Sequence, residues 1–424
     1  MSRRTPRSTL FPYTTLFRSD LDALRFDPAF KLACGRLAET GDDLMSQPTL
    51  SRLENAPSWR ELARMGLSLI DLFCAGFKAV PERIVLDIDD TADAVHGGQQ
   101  LALFNAHYDD YCFQPIHIFE AATGKPVLSL LRPGKRPSGE EVAQVLKHVI
   151  RRIRHNWPRV RITVRGDGHY GTPDVMEFLE DQGCGYIFGL SGNARLSKIG
   201  HPWCDDAAVR RARQGKDKVR RFFHTGYQAK SWSRERTVIA RVEATSKGSD
   251  IRFIVTNLSG KAKVLYEKVY CARGRMENMI KEHKLYTKSD RTSCHRWEAN
   301  QFRLFLHTGA YWLLHQLRQA APRRSPWRKA TFETIRRVFL KIAVRIEELK
   351  SRVRIALPSA YPYRPALVSM AARIKAQDRK STRLNSSHKP ISYAVFGLKK
   401  KTQIWGTGGT EPPSARRRRP RSSR

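Results

Sequence analysis

The sequence lacks paired cysteines, long apolar runs and any excess of acidic residues. Its seven cysteines are scattered without a CxxC pair, which excludes a zinc ribbon and a disulfide framework and predicts reduced cytoplasmic thiols. No apolar run approaches the length of a membrane span, so we expect no membrane partner. Basic residues dominate, with 77 Lys and Arg against 40 Asp and Glu, a net charge of +37. A chain this basic predicts a polyanionic partner, most simply DNA or RNA.

Both ends of the chain resemble translated sequencing adapters. Residues 9–19 and several successive pieces near the carboxyl end match such adapters in order, so we expect segments 1–19 and 378–424 to be adapter-derived, the latter including a low-complexity basic tail. The alternative is a natural basic DNA-binding tail. The two segments carry +4 and +11 of the net charge, which leaves +22 for residues 20–377. The body therefore stays strongly basic, and we expect native N-terminal sequence to be missing before Asp20.

Hydrophobic periodicity and composition divide the remaining chain into helical, α/β and polar segments. Strand candidates occupy residues 83–91, 100–108, 113–119, 127–131, 159–165 and 184–190, and amphipathic helices are predicted at 142–155, 172–182, 297–317 and 331–349. Antiparallel strands followed by strands alternating with helices predict an α/β core. The predicted segments are a helical N-terminal remnant with a candidate DNA contact (20–80), the first part of the core (81–195), a β-rich insertion (196–266), the second part of the core (267–350) and a C-terminal tail (351–377).

Acidic residues follow two of the predicted strands. Asp87, Asp89 and Asp90 end the first strand, and Asp167 follows a later one. Together with Glu277 on a predicted helix, these acids could converge at one end of a sheet. Three carboxylates can hold two divalent ions about 3.5–4 Å apart for in-line phosphoryl displacement. Hard oxygen ligands favour Mg²⁺ or Mn²⁺, so the sequence predicts two such ions here.

The predicted helix that carries Glu277 also carries a row of cations. The residues of this row stand at spacings of 3, 4, 4 and 3, which places them on one helix face: Tyr270, Arg273, Glu277, Lys281 and Lys284. A carboxylate among cations and a phenol suits a metal ion and the phosphates of a nucleic acid on one surface. The alternative is a solvated charged surface without a ligand, which is the usual fate of a charge run.

The same helix resembles a family signature. It fits the pattern Tyr-x2-Arg-x3-Glu-x6-Lys at every position, which resembles the DDE transposases of bacterial insertion sequences. The segment Asp89-Asp90-Thr91 looks like that group's first-acid motif, Asp-x-Thr, and Asp167 matches the second acid. Further segments look most like insertion-sequence family 1380, and the resemblance covers roughly residues 20–370.

The resemblance implies a fold and a function. It implies an α/β fold with a ribonuclease-H-like catalytic core, flanking helices and a β-rich insertion between the second acid and the glutamate. It implies metal-dependent strand cleavage at insertion-sequence ends and strand transfer into target DNA, with Asp89, Asp167 and Glu277 as catalytic residues and metal ligands. The implied partners are double-stranded DNA, the terminal inverted repeats and a second copy of the chain in the synaptic complex. We expect a cytoplasmic protein associated with the bacterial nucleoid.

Five residues are candidates for DNA binding, namely Tyr270, Arg273, Lys281, Lys284 and Trp232. Trp232 lies among basic residues in the insertion, where an indole can stack on an unpaired base. The alternative is that Trp232 anchors the core of the insertion. His169 and His283 flank the site as metal ligands or proton shuttles, or else contact phosphates or line the pocket.

Other functions stay open on the sequence alone. A catalytically inactive, truncated DNA-binding remnant is the main alternative, since a remnant could bind element ends without cutting them. An unrelated basic RNA-binding protein is a more distant one.

Overall fold

The computed structural model describes residues 20–384 and 401–406, with side-chain burial for residues 20–376. The strands are β1 Arg83–Asp90, β2 Asp93–Ala94, β3 Leu103–Asn105, β4 Asp110–Phe113, β5 Ile116–Glu120, β6 Lys125–Leu130, β7 Arg161–Gly166, β8 Gly185–Leu190, β9 Lys218–Tyr227, β10 Arg236–Thr245, β11 Gly248–Thr256, β12 Arg345–Glu348, β13 Arg352–Leu357 and β14 Lys401–Gly406. The α-helices are α1 Asp20–Leu24, α2 Pro28–Ala33, α3 Gln47–Asn55, α4 Trp59–Ala75, α5 Gly139–Asn156, α6 Pro173–Asp181, α7 Ala194–Gln214, α8 Ala262–Val264, α9 Arg275–Lys281, α10 Trp297–Ala320, α11 Phe332–Ile335 and α12 Arg364–Leu384.

Several short helical segments adjoin these helices. The 3-10 segments are Gly168–Tyr170, Cys271–Gly274 and Pro326–Lys329, and the π-helical segments are Leu265–Tyr270, Glu282–Tyr286 and Arg336–Leu340. Those between residues 262 and 286 join α8 and α9 without a break. We call residues 262–286 the signature helix.

The chain divides into two compact units, Leu53–His315 and the combination of Met1–Arg52 with Gln316–Arg424. The first unit contains an eight-stranded mixed sheet in the order β6-β5-β1-β7-β8-β11-β10-β9. Strands β1, β7 and β8 are parallel neighbours at its centre, and the remaining pairings are antiparallel. This arrangement confirms the α/β class predicted from the alternating strands and helices.

Alternating side chains give the sheet two differently covered faces. On one face, Leu86 and Val164 join a large apolar cluster with residues of α4, α5, α6 and α7. On the other face, Ile187 and Ile239 pack with Leu265 of the signature helix. Because successive strand residues point to opposite faces, every second residue of β1 and β7 faces the side on which the signature helix packs.

Two helices of this unit, α4 and α5, begin at serine caps. Ser58 accepts a hydrogen bond from the Glu61 backbone at the start of α4, and the Glu61 carboxylate accepts one from the Ser58 backbone N–H. Ser138 caps α5 by accepting from the Glu141 backbone. Such caps satisfy amide groups that the first helical turn leaves unpaired.

The predicted β-rich insertion differs from the observed segment. The long helix α7 opens it, and β9, β10 and β11 extend the main sheet because β11 pairs with β8. The helix was missed because its sequence is polar and contains Pro202. The strands join the core sheet because β8 would otherwise leave an edge of unpaired backbone groups.

Two further predictions were wrong in extent. The helix predicted at 331–349 ends at Leu340, and the chain then forms β12. The strand predicted at 100–108 is reduced to β3. The long helix predicted at 297–317 is confirmed as α10.

The second unit contains a small three-stranded sheet in the order β12-β13-β14. Val353 of this sheet is buried with Leu32 and Ala38. The side chain of Glu348 accepts hydrogen bonds from the backbones of Glu39 and Thr40. These contacts join the first and last parts of the chain, which sequence reasoning had treated as separate segments.

Most of the predicted adapter-derived sequence lies outside the described residues, including all of 1–19. The described residues beyond 377 are the end of α12 and strand β14. Across the described helices, none combines the length and apolarity that crossing a membrane requires.

Candidate active site

The register of two parallel strands brings the predicted acids together. Asp87 of β1 lies beside Arg165 of β7, and Ile88 lies beside Gly166. The next residues along these two strands are Asp89 and Asp167. Asp167 keeps an extended backbone, with φ of −75° and ψ of 178°. Alternation therefore directs Asp89 and Asp167 to the face covered by the signature helix, at the carboxyl ends of adjacent strands.

A buried ion pair lies directly beneath these acids. Arg165 donates to both carboxylate oxygens of Asp87, at 2.5 and 2.7 Å, and also to the backbone carbonyl of Val269. The side chains of Asp87 and Arg165 are only 1% and 4% exposed. The guanidinium group thus ties β1, β7 and the signature helix together at one point. Burial raises the pKa of Asp87, although Arg165 opposes the shift.

Arg273 of the signature helix contacts both candidate acids. One guanidinium nitrogen lies 3.8 Å from a carboxylate oxygen of Asp89, and the other lies 3.6 Å from a carboxylate oxygen of Asp167. The Arg273 side chain is 24% exposed, and those of Asp89 and Asp167 are 18% and 41% exposed. One cation therefore bridges two carboxylates that are 78 residues apart in the sequence.

The side chains of Asp89 and Asp167 have different pKa values. Burial and the adjacent Asp90 raise the pKa of Asp89 to about 6, although Arg273 opposes the shift. The hydrogen bond from His169 and the charge of Arg273 lower the pKa of Asp167 to about 2. At pH 7, Asp167 is fully charged, and Asp89, about one pH unit above its pKa, is mostly charged. This difference has two causes: burial raises the pKa of Asp89, and the hydrogen bond from His169 lowers that of Asp167.

Asp90 belongs to a hydrogen-bonded network on the opposite side of β1. Its carboxylate accepts from Gln114 at 3.0 Å, from Tyr170 at 3.0 Å and from the His169 ring at 2.9 Å. The His169 ring also lies 3.6 Å from Asp167. Burial opposes protonation, but the two carboxylates raise the pKa of His169 to about 9. A cationic His169 therefore links Asp90 to Asp167.

Lys284, a candidate for phosphate binding, contacts protein groups in this structure. Its ammonium group lies 3.2 Å from Asp93, donates to Thr91 at 3.1 Å and donates to the Ala92 carbonyl. Asp93 is almost completely buried, and burial raises its pKa to about 7 although Lys284 opposes the shift. In this conformation, Lys284 joins the signature helix to the segment that follows β1.

Tyr270 lies beside the loop that carries Asp167. A Cβ atom on Gly189 would come within 2.8 Å of the Tyr270 hydroxyl and 3.0 Å of the Gly168 backbone nitrogen. Glycine at position 189 therefore permits the close approach of the phenol to the end of β8. The Tyr270 ring also lies under the Arg273 guanidinium, 5.7 Å from its centroid.

Glu277 lies between the two anchored cations of the signature helix. Arg273, one turn before it, contacts Asp89, and Lys284, two turns after it, contacts residues that follow β1. The Glu277 and Lys281 side chains are exposed, whereas Met276 is buried. The meeting of Glu277 with Asp89 and Asp167 stays a prediction.

The oxygen donors at this site suit a divalent cation, although they do not form a complete set of metal ligands. Among the described residues, no group of three or more His, Cys, Asp and Glu side chains is placed to hold a metal ion. Asp89 and Asp167 nevertheless supply hard oxygen donors that already share one cation, Arg273. This donor chemistry fits Mg²⁺ or Mn²⁺.

Two sequence-based predictions need correction. Trp232 is 6% exposed and packs in the large apolar cluster that includes Val238 and Phe253. Its ring also meets Tyr227 edge-on at 5.6 Å. Base stacking needs an accessible ring, so the structure favours the core role that had been left as the alternative.

The second correction concerns His283. It is completely buried and hydrogen-bonds Ser289 and Thr308. It therefore neither lines an open site nor meets a phosphate in this conformation. The helical spacing that placed it near Lys284 did not reveal that it faces the protein interior.

Sequence reasoning missed two residues that support the site. Arg165 had a detectable signal, because it stands on the same strand face as Asp167 within a predicted buried strand, where a cation requires a partner. Asp93 had no comparable signal, since it follows a cluster of acids in a polar segment.

Comparison with known proteins gives one family and several distant structural likenesses. Residues 16–379 match the family model described as transposase DDE domain group 1. No curated protein matches the chain. The structure resembles a piggyBac transposase synaptic complex with hairpin DNA, with a TM-score of 0.36 and 9% identity over 92% of this chain and 80% of that one. It also resembles the catalytic domain of Mos1 mariner transposase, with a TM-score of 0.20 and 12% identity over 38% of this chain and 74% of that one.

Proposed function

This chain belongs to the transposase DDE domain group 1 family, and we propose that it is a DNA transposase. In this proposal it cleaves strands at the ends of an insertion sequence of family 1380 and joins them to target DNA. The substrates are double-stranded terminal inverted repeats and target DNA, and two copies of the chain act in the synaptic complex.

The contact of Arg273 with both Asp89 and Asp167 carries this proposal. Three segments that are remote in sequence supply these residues. A solvated charged surface without a ligand would not require residues from three segments to meet at one place. The strand order β6-β5-β1-β7-β8, with β1, β7 and β8 parallel, supports a ribonuclease-H-like core with its acids at the carboxyl ends of the central strands.

Each residue of the site has a proposed role. Asp89, Asp167 and Glu277 would hold two Mg²⁺ or Mn²⁺ ions, which when bound activate a water or 3′-hydroxyl and stabilise the leaving oxygen. The cationic His169 orients Asp167 through their contact. In this proposal, Tyr270, Arg273 and the exposed Lys281 bind DNA phosphates during the reaction.

A strand-cleavage assay tests the proposal. The full chain is incubated with duplex DNA from the inverted repeats that flank its coding sequence, with Mg²⁺ or Mn²⁺ and with EDTA. Asp89→Asn, Asp167→Asn and Glu277→Gln should each reduce cleavage at least about 100-fold, which corresponds to about 2.7 kcal/mol in the barrier. Binding of the same DNA in a gel-shift assay should change little.

Asp217→Asn is the matched control, because it removes the same charge from an exposed residue outside the site. Metal-independent cleavage, or full cleavage by the Asp89→Asn variant, would overturn the proposal. Sequence-specific binding of the inverted repeats without any cleavage would instead support the alternative of a DNA-binding protein without catalysis.

A further inference from the structure

The bridging of Asp89 and Asp167 by Arg273 has a consequence for the ions that these acids would bind. We propose that Arg273 is a displaceable cation that occupies the shared position between the two carboxylates and competes with a divalent ion for it. Entry of the ion then requires the guanidinium group to leave. This inference rests on the proposed function only in assuming that the two acids bind a divalent ion.

The geometry supports displacement rather than a fixed structural ion pair. The nitrogen–oxygen distances are 3.8 and 3.6 Å, beyond the 2.7–2.9 Å of a close charged hydrogen bond. The neighbouring pair of Arg165 with Asp87 is different, since it is bidentate at 2.5 and 2.7 Å and nearly inaccessible. The site therefore contains one tightly held guanidinium group and one loosely held group that is 24% exposed.

Charge balance explains why a cation is needed there. Asp89 and Asp167 are carboxylates from adjacent strands, and their mutual repulsion contributes to the raised pKa of Asp89. A cation between them reduces this repulsion in the absence of a metal ion. Because Arg273 and a divalent ion would both be attracted by the same two charges, binding of one opposes binding of the other.

The helix offers the guanidinium group an alternative position. Arg273 already lies against the face of Tyr270, and its side chain is partly exposed. Rotation of the side chain would keep the aromatic contact on one side while releasing the acids. The freed guanidinium group would then be available to a DNA phosphate, so loading of the ion and binding of DNA would favour each other.

Metal binding without DNA or turnover tests the inference. The full chain is titrated with Mn²⁺, and bound ion is measured by electron paramagnetic resonance. Arg273→Gln should lower the Mn²⁺ dissociation constant by about tenfold or more. A tenfold change is expected for removing a unit charge about 6 Å from a divalent ion in bulk water at low salt.

Two variants control for charge and for position. Arg273→Lys keeps the competing charge and should keep weak binding of Mn²⁺ close to that of the unmodified chain. Arg275→Gln removes the same charge from an exposed residue of the same helix and should change the dissociation constant less than about twofold, as expected for a screened surface charge. Near-ultraviolet circular dichroism establishes that each variant is folded.

Thermal unfolding supplies a second measurement. Without metal, Arg273→Gln should unfold at a lower temperature because the carboxylates lose their shared cation. Saturating Mn²⁺ should then raise its unfolding temperature more than that of the unmodified chain, since tighter binding stabilises the folded state more. Unchanged or weaker Mn²⁺ binding by Arg273→Gln would overturn the inference. A chain that binds Mn²⁺ as expected but cuts no DNA would refute the proposed function and leave the inference standing.

Discussion

Replacing Arg165 by methionine should destabilise the protein strongly, because it leaves the buried Asp87 carboxylate without its cation. Both side chains are almost completely buried, and removing one partner of a buried pair costs about 3–5 kcal/mol. The loss of the bond to the Val269 carbonyl adds to this cost. We expect Arg165→Met to lower the free energy of unfolding by about 4 kcal/mol at pH 7.5.

The cost should depend on pH. The pKa of Asp87 is raised in the folded protein by burial, so its charged form destabilises the fold as pH rises through the unfolded pKa of about 3.9. Removing Arg165 raises the folded pKa further. The additional instability therefore appears as pH rises past the folded pKa of the unmodified chain, and it shrinks in acid, where Asp87 is protonated in both proteins.

Urea unfolding at pH 7.5 and pH 5 measures both effects. The double variant Asp87→Leu with Arg165→Met should recover most of the loss, because apolar side chains can replace a buried pair at little cost. Arg161→Met on the same strand breaks an exposed pair with Glu82 and should cost less than about 1 kcal/mol. A loss below about 1 kcal/mol for Arg165→Met, or no recovery in the double variant, would refute the reasoning.

Three further predictions follow from the site. Lys284→Gln should chiefly lower the free energy of unfolding, whereas Lys281→Gln should leave it unchanged. Lys281→Gln should also reduce the salt slope of DNA binding by about one charge. Urea unfolding measures the first effect, and binding titrations at several salt concentrations measure the second. Because Asp89 has a raised pKa of about 6 and binds a metal ion as the carboxylate, Mn²⁺ affinity should fall about tenfold per pH unit below pH 6 and level off above it. Gly189→Ala should cost about 1–3 kcal/mol through its overlap with the Tyr270 hydroxyl, and Tyr270→Phe in the same chain should restore part of that loss by removing the hydroxyl oxygen.

The outcomes that contradict these predictions are specific. A destabilised Lys281→Gln variant would show that Lys281 is a structural residue. Mn²⁺ affinity that does not change between pH 5 and pH 7 would exclude Asp89 as the titrating ligand. A Gly189→Ala chain as stable as the unmodified one would show that Tyr270 moves without cost.

Much of the fold could be predicted because the signals are local. Short β-branched runs such as residues 83–91 and 159–165 mark buried strands, and the amphipathic pattern at 297–317 marks a long helix. The prediction for 331–349 failed because an amphipathic pattern does not reveal that residues 345–348 form a strand paired with β13 instead of continuing the helix. The joining of β11 to β8 was also beyond sequence reasoning, since the pairing partner lies more than fifty residues away.

The sequence by itself determined that acids follow two strands and that a row of cations lies on one helix face, because strand ends and helical spacing are visible in the order of residues. Only the tertiary structure decided which of these residues meet. Parallel register set Asp89 beside Asp167, and the packing of the signature helix on that face placed Arg273 against both. Trp232 is buried in the core, and Lys284 pairs with the buried Asp93. These outcomes depend on long-range packing and desolvation, which act only once the chain has folded.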